Sequence, residues 1–383
     1  MRRLVTSAVL AVLCCGVVGC SDADDPVQAE ATSTTAGPSV STTTVADDPD
    51  TGYQVGRRSI TVVDDSRGGR TLPVEVWYPV APDADLEGLT VSAYPLLGES
   101  RHPSAVSHDD APAARGPFPL VVFSHGNGGN RMQSVFLTEA LAAAGFVVAS
   151  PDHVGNTTAE VGLGAGIGPA QVQSAVDRPL DIELVIDRLL AVSADPADPL
   201  SGRVDPERIG VTGHSFGGLT SLLVALATGG EPYDARIDAI APLAPASGTI
   251  DDKALGTITV PMLVMGGTLD TTTPVDPNVD RPFDLVGSRI AYRAVLRDAN
   301  HLSFSDVCAH VDGYRERPDA DPGVAAYVDA LFEGACADEY LDVEVAHRLI
   351  VRYVVGFFRS VLAGDEHAAD ALVSTGEAEV SAR

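Results

Sequence analysis

The run Leu120-Val121-Val122-Phe123 carries no polar residue on either of its alternating faces, so as a strand it must be covered on both sides. The strand signal recurs at 209–212, 237–243, 261–265 and 290–296. Between these runs lie segments with helical spacing. The clearest is 180–192, where Ile182, Val185, Ile186, Leu189 and Leu190 share one face; others are expected near 132–144, 216–228 and 343–362. Strands buried on both faces and alternating with helices define an α/β chain with a mostly parallel central sheet and helices on both faces. Residues 59–63, 72–78 and 146–149 add strands, and Val74, Val76 and Tyr78 form one face of the second. With 45% hydrophobic residues in 383, the chain has material for one large core, placed at 53–364 with no internal repeat. Residues 81–116 read as a long irregular connection and 365–383 as a loose tail.

The ends and the charge bound the setting. Arg2 and Arg3 precede an uncharged apolar stretch over 4–18, too short to span a membrane comfortably and typical of an export signal. It ends in Val17-Val18-Gly19-Cys20, which resembles the lipobox of bacterial lipoproteins, with Cys20 as the lipidated residue and 1–19 as the signal peptide; an ordinary secretory signal is the alternative. Residues 21–52 are rich in Thr, Ser, Ala and Asp without apolar period, so 20–52 read as a disordered tether. The expected location is therefore the cell envelope, with membrane contact only through the lipid. Cys308 and Cys336 are the cysteines left after export, and in an oxidising compartment they are expected to pair; two inert buried thiols are the alternative. No cysteine or histidine spacing suggests a metal site, and no cofactor is implied. Asp and Glu number 53 against 25 Lys and Arg, a net −28 that repels nucleic acid, and Trp77 is the one Trp available for base stacking.

The chemistry concentrates at Gly213-His214-Ser215-Phe216-Gly217. A buried strand ends at Thr212 and a small-residue helix begins at Phe216, so the chain must turn sharply at Ser215. Glycines at 213 and 217 remove side chains that would collide in such a turn, which lifts the Ser215 hydroxyl above the sheet at a helix N-terminus. A hydroxyl needs a base oriented by a carboxylate to act as a nucleophile. Two later strand ends supply them in the order Ser, acid, His: Asp270 after the strand 261–265, and His301 after the strand 290–296. Asp298 is too near His301 in sequence to orient it easily; His102 and His108 fall in the irregular connection before the serine turn, and His310, His347 and His367 lack a strand end. His125 and His214 are expected to be structural. An oxyanion hole is expected from the backbone N–H of Phe216 and of Asn127, the latter in the glycine-rich loop 124–129.

The segments "VVFSHGNGG", "GFVVASPDHVGNT", "RPLDIELVIDRLL", "RIGVTGHSFGG" and "DANHLSFSD" resemble bacterial α/β-hydrolases grouped with platelet-activating-factor acetylhydrolases and predicted dienelactone hydrolases. The resemblance covers most of 70–362 and implies the α/β-hydrolase fold and a metal-free serine esterase acting on short-acyl or small esters. Two departures stand out. The plasma-type acetylhydrolases take their acid after the strand following the elbow, where this chain has Leu243-Ala244-Pro245-Ala246-Ser247, and dienelactone hydrolases proper use a Cys where Ser215 stands. "AIAPLAPAS" and "VPMLVMGGTLDTTTPV" are similar to actinobacterial cutinases and polyester hydrolases, which place the acid where Asp270 stands. That similarity implies a polyester or cutin-like substrate as an alternative, a phospholipid ester falling within the short-acyl class, with 81–116 and 306–338 as insertions expected to narrow an otherwise open groove. A surface-binding lipoprotein on a retired hydrolase fold is the non-catalytic alternative.

Overall fold

The structure, a computed structural model, describes residues 52–95, 101–161, 168–308, 311, 326, 329–330 and 332–383. The expected signal, Cys20 and nearly all of the tether lie outside the described residues, as does most of 306–338. Eleven strands form one sheet. In chain order these are β1 (Gln54–Asp64), β2 (Arg70–Val80), β3 (Val91–Pro95), β4 (Arg101–Asp109), β5 (Phe118–Ser124), β6 (Val147–Pro151) and β7 (Val204–His214). A small hairpin of β8 (Ala227–Thr228) and β9 (Glu231–Pro232) stands apart, and β10 (Ile237–Leu243), β11 (Met262–Gly267), β12 (Ala291–Leu296) and β13 (Ala378–Ala382) complete the sheet. Its order is β13-β12-β11-β10-β7-β5-β6-β2-β1-β4-β3, with β6, β5, β7, β10, β11 and β12 mutually parallel.

The apolar runs set this arrangement. Leu120 and Val122 of β5 enter one core cluster with Ile182, Val185, Ile186 and Leu189, while Val121 and Phe123 enter the other with Leu137, Leu141, Tyr353 and Phe357. One face of the sheet is therefore covered by α2 (Pro169–Ala194), and the other by α1 (Val135–Ala143) and α4 (Val343–Val361). A fourth helix, α3 (Phe216–Leu223), follows β7 directly and packs Leu219, Leu222 and Leu223 into the first cluster. It is shorter than the expected 216–228, because the chain turns into the β8–β9 hairpin. Helix α2 starts eleven residues before the expected 180, running through Pro179. Proline removes one helical hydrogen bond, but the turns on its N-terminal side are held by buried Ser174, Ala175 and Arg178.

Two further sequence expectations are corrected. Residues 81–116 are not an irregular connection throughout: β3 and β4 pair antiparallel, and β4 lies parallel to β1. Their inward positions are polar or aromatic, which hides the strand pattern: Ser107 donates to Ser92 (2.8 Å), and Tyr94 receives Trp77 Nε1–H (2.8 Å) and donates to Glu139 (2.6 Å). Nor is 365–383 a loose tail. It forms the 3-10 turn Glu366–Ala371 and then β13, antiparallel to β12 from Leu296↔Ala378 to Tyr292↔Ala382, with Leu372 and Ala378 buried. Its small and polar residues carry little strand signal, and the pairing is supplied by the unfilled edge of β12. A disulfide joins Cys308 and Cys336. Deleting 366–383 is expected to expose that edge and to lower Tm in calorimetry, by roughly 2–4 °C for each kcal/mol lost; an unchanged Tm would mean that β13 contributes no net stability.

Candidate active site

The serine turn is fixed by the end of β5. A Cβ on Gly217 would lie 1.8 Å from the Ser124 carbonyl oxygen, and one on Gly213 would lie 2.4 Å from it, so neither position accepts a side chain. Squeezed between β7 and α3, Ser215 adopts φ 58° and ψ −115°, a strained backbone for a residue with a Cβ. Its N–H donates to the Leu243 carbonyl (2.9 Å), and its own carbonyl accepts from Leu219 (2.9 Å) and Ala246 (3.1 Å), which tie the turn to α3 and to the end of β10.

Asp270 follows β11 and is almost fully buried. Its Oδ1 accepts the N–H groups of Thr272 (2.8 Å) and Thr273 (2.7 Å), and its Oδ2 lies 2.8 Å from both the Thr273 hydroxyl and His301 Nδ1. Burial alone would raise the carboxyl pKa, but the His301 hydrogen bond and charge, with the Thr273 donors, outweigh it and hold it below the ordinary value. His301 opens a 3-10 turn capped by Asn300, whose Oδ1 accepts from Leu302 (2.9 Å) and Ser303 (3.2 Å) and whose Nδ2 donates to the Ala335 carbonyl (2.8 Å). With Nδ1 directed at Asp270, Nε2 is the ring nitrogen left for a substrate or a nucleophile. Asp298 serves the turn through its backbone, its N–H donating to Thr268 Oγ1 and its carbonyl accepting from Leu341 (both 2.8 Å).

The glycine-rich loop 124–129 lies against the serine: a Cβ on Gly126 would sit 3.4 Å from Ser215 Cβ. A chain of hydrogen bonds that sequence reading missed stitches these segments together. Gly126 N–H donates to Gln133 Oε1 (2.8 Å), the Gln133 amide reaches His214 Nδ1 (2.8 Å), and His214 Nε2 reaches the His301 carbonyl (2.9 Å). An amide can only donate to Nδ1 from its NH2 end, so His214 is the neutral tautomer protonated at Nε2. Burial, helped by the nearby His301, pushes its pKa down to about 3. His125 is likewise buried, its Nε2 accepting the His153 N–H (3.0 Å). The Asn127 side chain accepts from Asn156 (2.8 Å).

A second Ser–His–Asp chain runs beneath the loop, entirely buried: Ser124 Oγ lies 2.9 Å from His153 Nε2, and His153 Nδ1 lies 3.0 Å from Asp181 Oδ2. Burial works to raise the Asp181 pKa, yet its hydrogen bonds from His153 and Arg70 hold it well below the ordinary value. No solvent reaches this chain, so it is scaffold. Among the described residues no group of three or more His, Cys, Asp or Glu is arranged to hold a metal, and no helix is long and apolar enough to cross a membrane.

A strand–turn–helix serine, with an acid and a histidine on later strand ends of a mostly parallel sheet, is the arrangement of an α/β-hydrolase. The chain belongs to the PET hydrolase-like family, whose model matches residues 113–309 and so spans Ser215, Asp270 and His301. It is 29% identical over 194 residues to cutinase est1 of Thermobifida alba, a match covering 50% of this chain and 56% of that enzyme. A ferulic acid esterase from Streptomyces cinnamoneus, solved at 2.4 Å, superposes with a TM-score of 0.61 at 27% identity, covering 83% of this chain and 92% of its own. The family and the cutinase relative fall on the cutinase side of the resemblances read from sequence.

The buried imidazoles set an acid limit. Burial and the Arg178 charge lower the His153 pKa to about 4, against the partial opposition of Asp181, and His214 stands at about 3. Unfolded histidines titrate near 6.5, so below that pH the unfolded chain takes up protons that the folded one refuses. Stability is therefore full above about pH 6.5 and falls as pH drops toward 4, by ~1.4 kcal/mol per pH unit for each imidazole. Burial lowers His125 and His347 as well, while it raises Asp306 to about 7 and so offsets one imidazole. Urea unfolding between pH 7 and 4.5 is expected to show the net slope, made shallower by the share of one imidazole in His153→Gln; a profile unchanged by that substitution would contradict it.

Proposed function

We propose that the chain hydrolyses carboxylic esters with Ser215 as nucleophile, His301 as general base and then acid, and Asp270 as the group that orients and stabilises the imidazole. The observation that carries this reading is the strained Ser215 turn, whose neighbour His214 has its ring centre 4.5 Å from that of His301, with His301 hydrogen-bonded through Nδ1 to a buried carboxylate. His301 Nε2 takes the Ser215 proton as Oγ bonds to the ester carbonyl carbon. The oxyanion that forms is met by the backbone N–H groups of Phe216 and Asn127. Collapse of the adduct breaks the ester C–O bond, and the alcohol leaves with the proton from His301. Water, deprotonated by His301, attacks the acyl carbon; the bond from that carbon to Ser215 Oγ breaks, His301 returns the proton to Oγ, and the acid leaves.

Short-acyl and small esters form the leading substrate class. A polyester or cutin-like substrate is the second reading, supported by the PET hydrolase-like family and by the cutinase relative. Exposed Leu269, next to Asp270, offers an apolar surface at the edge of the site to either. The reading is tested on p-nitrophenyl acetate, butyrate and palmitate, methyl ferulate and a polyester film. Turnover by the wild type is expected to fall about 10⁴-fold or more in Ser215→Ala and about 10⁴-fold in Asp270→Asn. Turnover indifferent to Ser215 would favour the non-catalytic binder. The enzyme's place is proposed to be the cell envelope, through a lipid on Cys20: cells fed a radiolabelled or alkyne fatty acid should label the wild type and not Cys20→Ala, and equal labelling would remove the anchor.

A further inference from the structure

Arg178 is completely buried, yet among the described residues every hydrogen-bond partner it has is neutral. Its Nε donates to Ser174 Oγ (2.9 Å), one terminal nitrogen to the His125 carbonyl and to Ser124 Oγ (3.3 Å), and the other to the Gly126 carbonyl (3.1 Å) and to Asn156 Oδ1 (2.6 Å). The nearby Asp181 carboxylate is engaged by Arg67 (2.8 Å), by both arms of Arg70 (2.9 and 2.8 Å) and by His153. Ion pairing therefore does not account for a buried guanidinium here, and a buried charge without a carboxylate is costly. Its partners mark the use. Two of its five acceptors are consecutive carbonyls of the loop beside Ser215, a third is the asparagine that holds the Asn127 side chain, and its Cζ lies over the Phe216 ring, 4.7 Å from the ring centre.

From this geometry we infer that Arg178 is the positioning residue of the oxyanion hole, acting on both donor segments at once; the inference rests on the ester-hydrolase reading. In a planar trans peptide the C=O and the N–H point in opposite directions. Holding the Gly126 oxygen toward the interior thus turns the Asn127 N–H away from Arg178. A carbonyl that accepts from a cation also polarises its own amide, which makes that N–H a stronger donor. The stack on Phe216 fixes the residue that carries the other donor. The fork geometry is needed: a lysine ammonium in this place reaches one carbonyl but does not bridge two and stack.

The test uses the full chain with Arg178→Met, Arg178→Lys and Ser174→Ala, each normalised to folded protein by circular dichroism and calorimetry. Three quantities are read: kcat and KM for p-nitrophenyl butyrate, the pH profile of kcat/KM, and the affinity for an alkyl trifluoromethyl ketone, whose tetrahedral adduct with Ser215 places an oxyanion in the hole. For Arg178→Met the expected result is a loss of about 10²-fold in kcat with KM within threefold. The ketone should weaken in parallel, while the pH profile keeps its midpoint. Arg178→Lys should recover part of the loss, and Ser174→Ala, a lesser cut in an intact core, should lose several-fold in kcat alone. Whichever of the three folds decides the matter. Kcat within threefold of wild type in folded Arg178 variants, no kcat loss in Ser174→Ala where it alone folds, or a loss that follows KM or the folded fraction, overturns the inference and leaves the hydrolase reading standing. A wild type that neither turns over esters nor binds the ketone overturns both.

Discussion

The contact on which the site depends is between two backbones: the glycines of the serine turn and the last carbonyl of β5. Because nothing larger than hydrogen fits between Gly217 and Ser124, the turn and the glycine-rich loop are drawn to one point at the end of the parallel strands. The strained dihedrals of Ser215 follow from that compression, and so does the proximity of Gly126 to its side chain. Backbone strain of this kind costs about 1–3 kcal/mol and persists only where the surroundings over-determine it. Here they do, through β10 on one side and α3 on the other.

Around that contact the interior is unusually polar. Two buried relays converge on the loop 124–129: one from His301 through His214 and Gln133 to the Gly126 N–H, and one from Asp181 through His153 and Ser124 to Arg178 and the Gly126 carbonyl. The N–H and the C=O of the same glycine are thus held from different directions. Satisfied networks of this sort rigidify what they surround, whereas a half-satisfied one would destabilise it. The loop gains fixed orientation without any regular secondary structure of its own.

Much of the framework could be read from the chain. Strands buried on both faces announce themselves by unbroken apolar runs, as 120–123 and 261–265 do, and Ser215, Asp270 and His301 each follow the end of a strand read from the chain. The sheet edges could not, because their order comes from partners: β3 and β4 bury serines and a tyrosine in hydrogen bonds, and β13 borrows its pairing from β12. Arg178 was hidden by its neighbour, since starting the helix after Pro179 put it outside the element. A signal was present all the same: 178, 182, 185, 186 and 189 form one stripe at helical spacing, and a cation on an apolar stripe calls for a buried acceptor. Gln133 and His214 offered no comparable pattern, because their partners lie in distant segments.

The cross-link at Cys308 and Cys336 bears on the imidazole in a way that the strand framework does not. Asn300, immediately before His301, donates to the carbonyl of Ala335, the residue adjoining one bridged sulfur, and seven residues after His301 stands the other. The segment carrying the base is therefore tied to residues 335–336 in two ways, by an amide and by a covalent bond that exists only where thiols are oxidised. Folding in a thiol-reducing cytosol would leave the amide as the remaining one of these two ties, so a preparation's redox history becomes a variable in how firmly its general base is held.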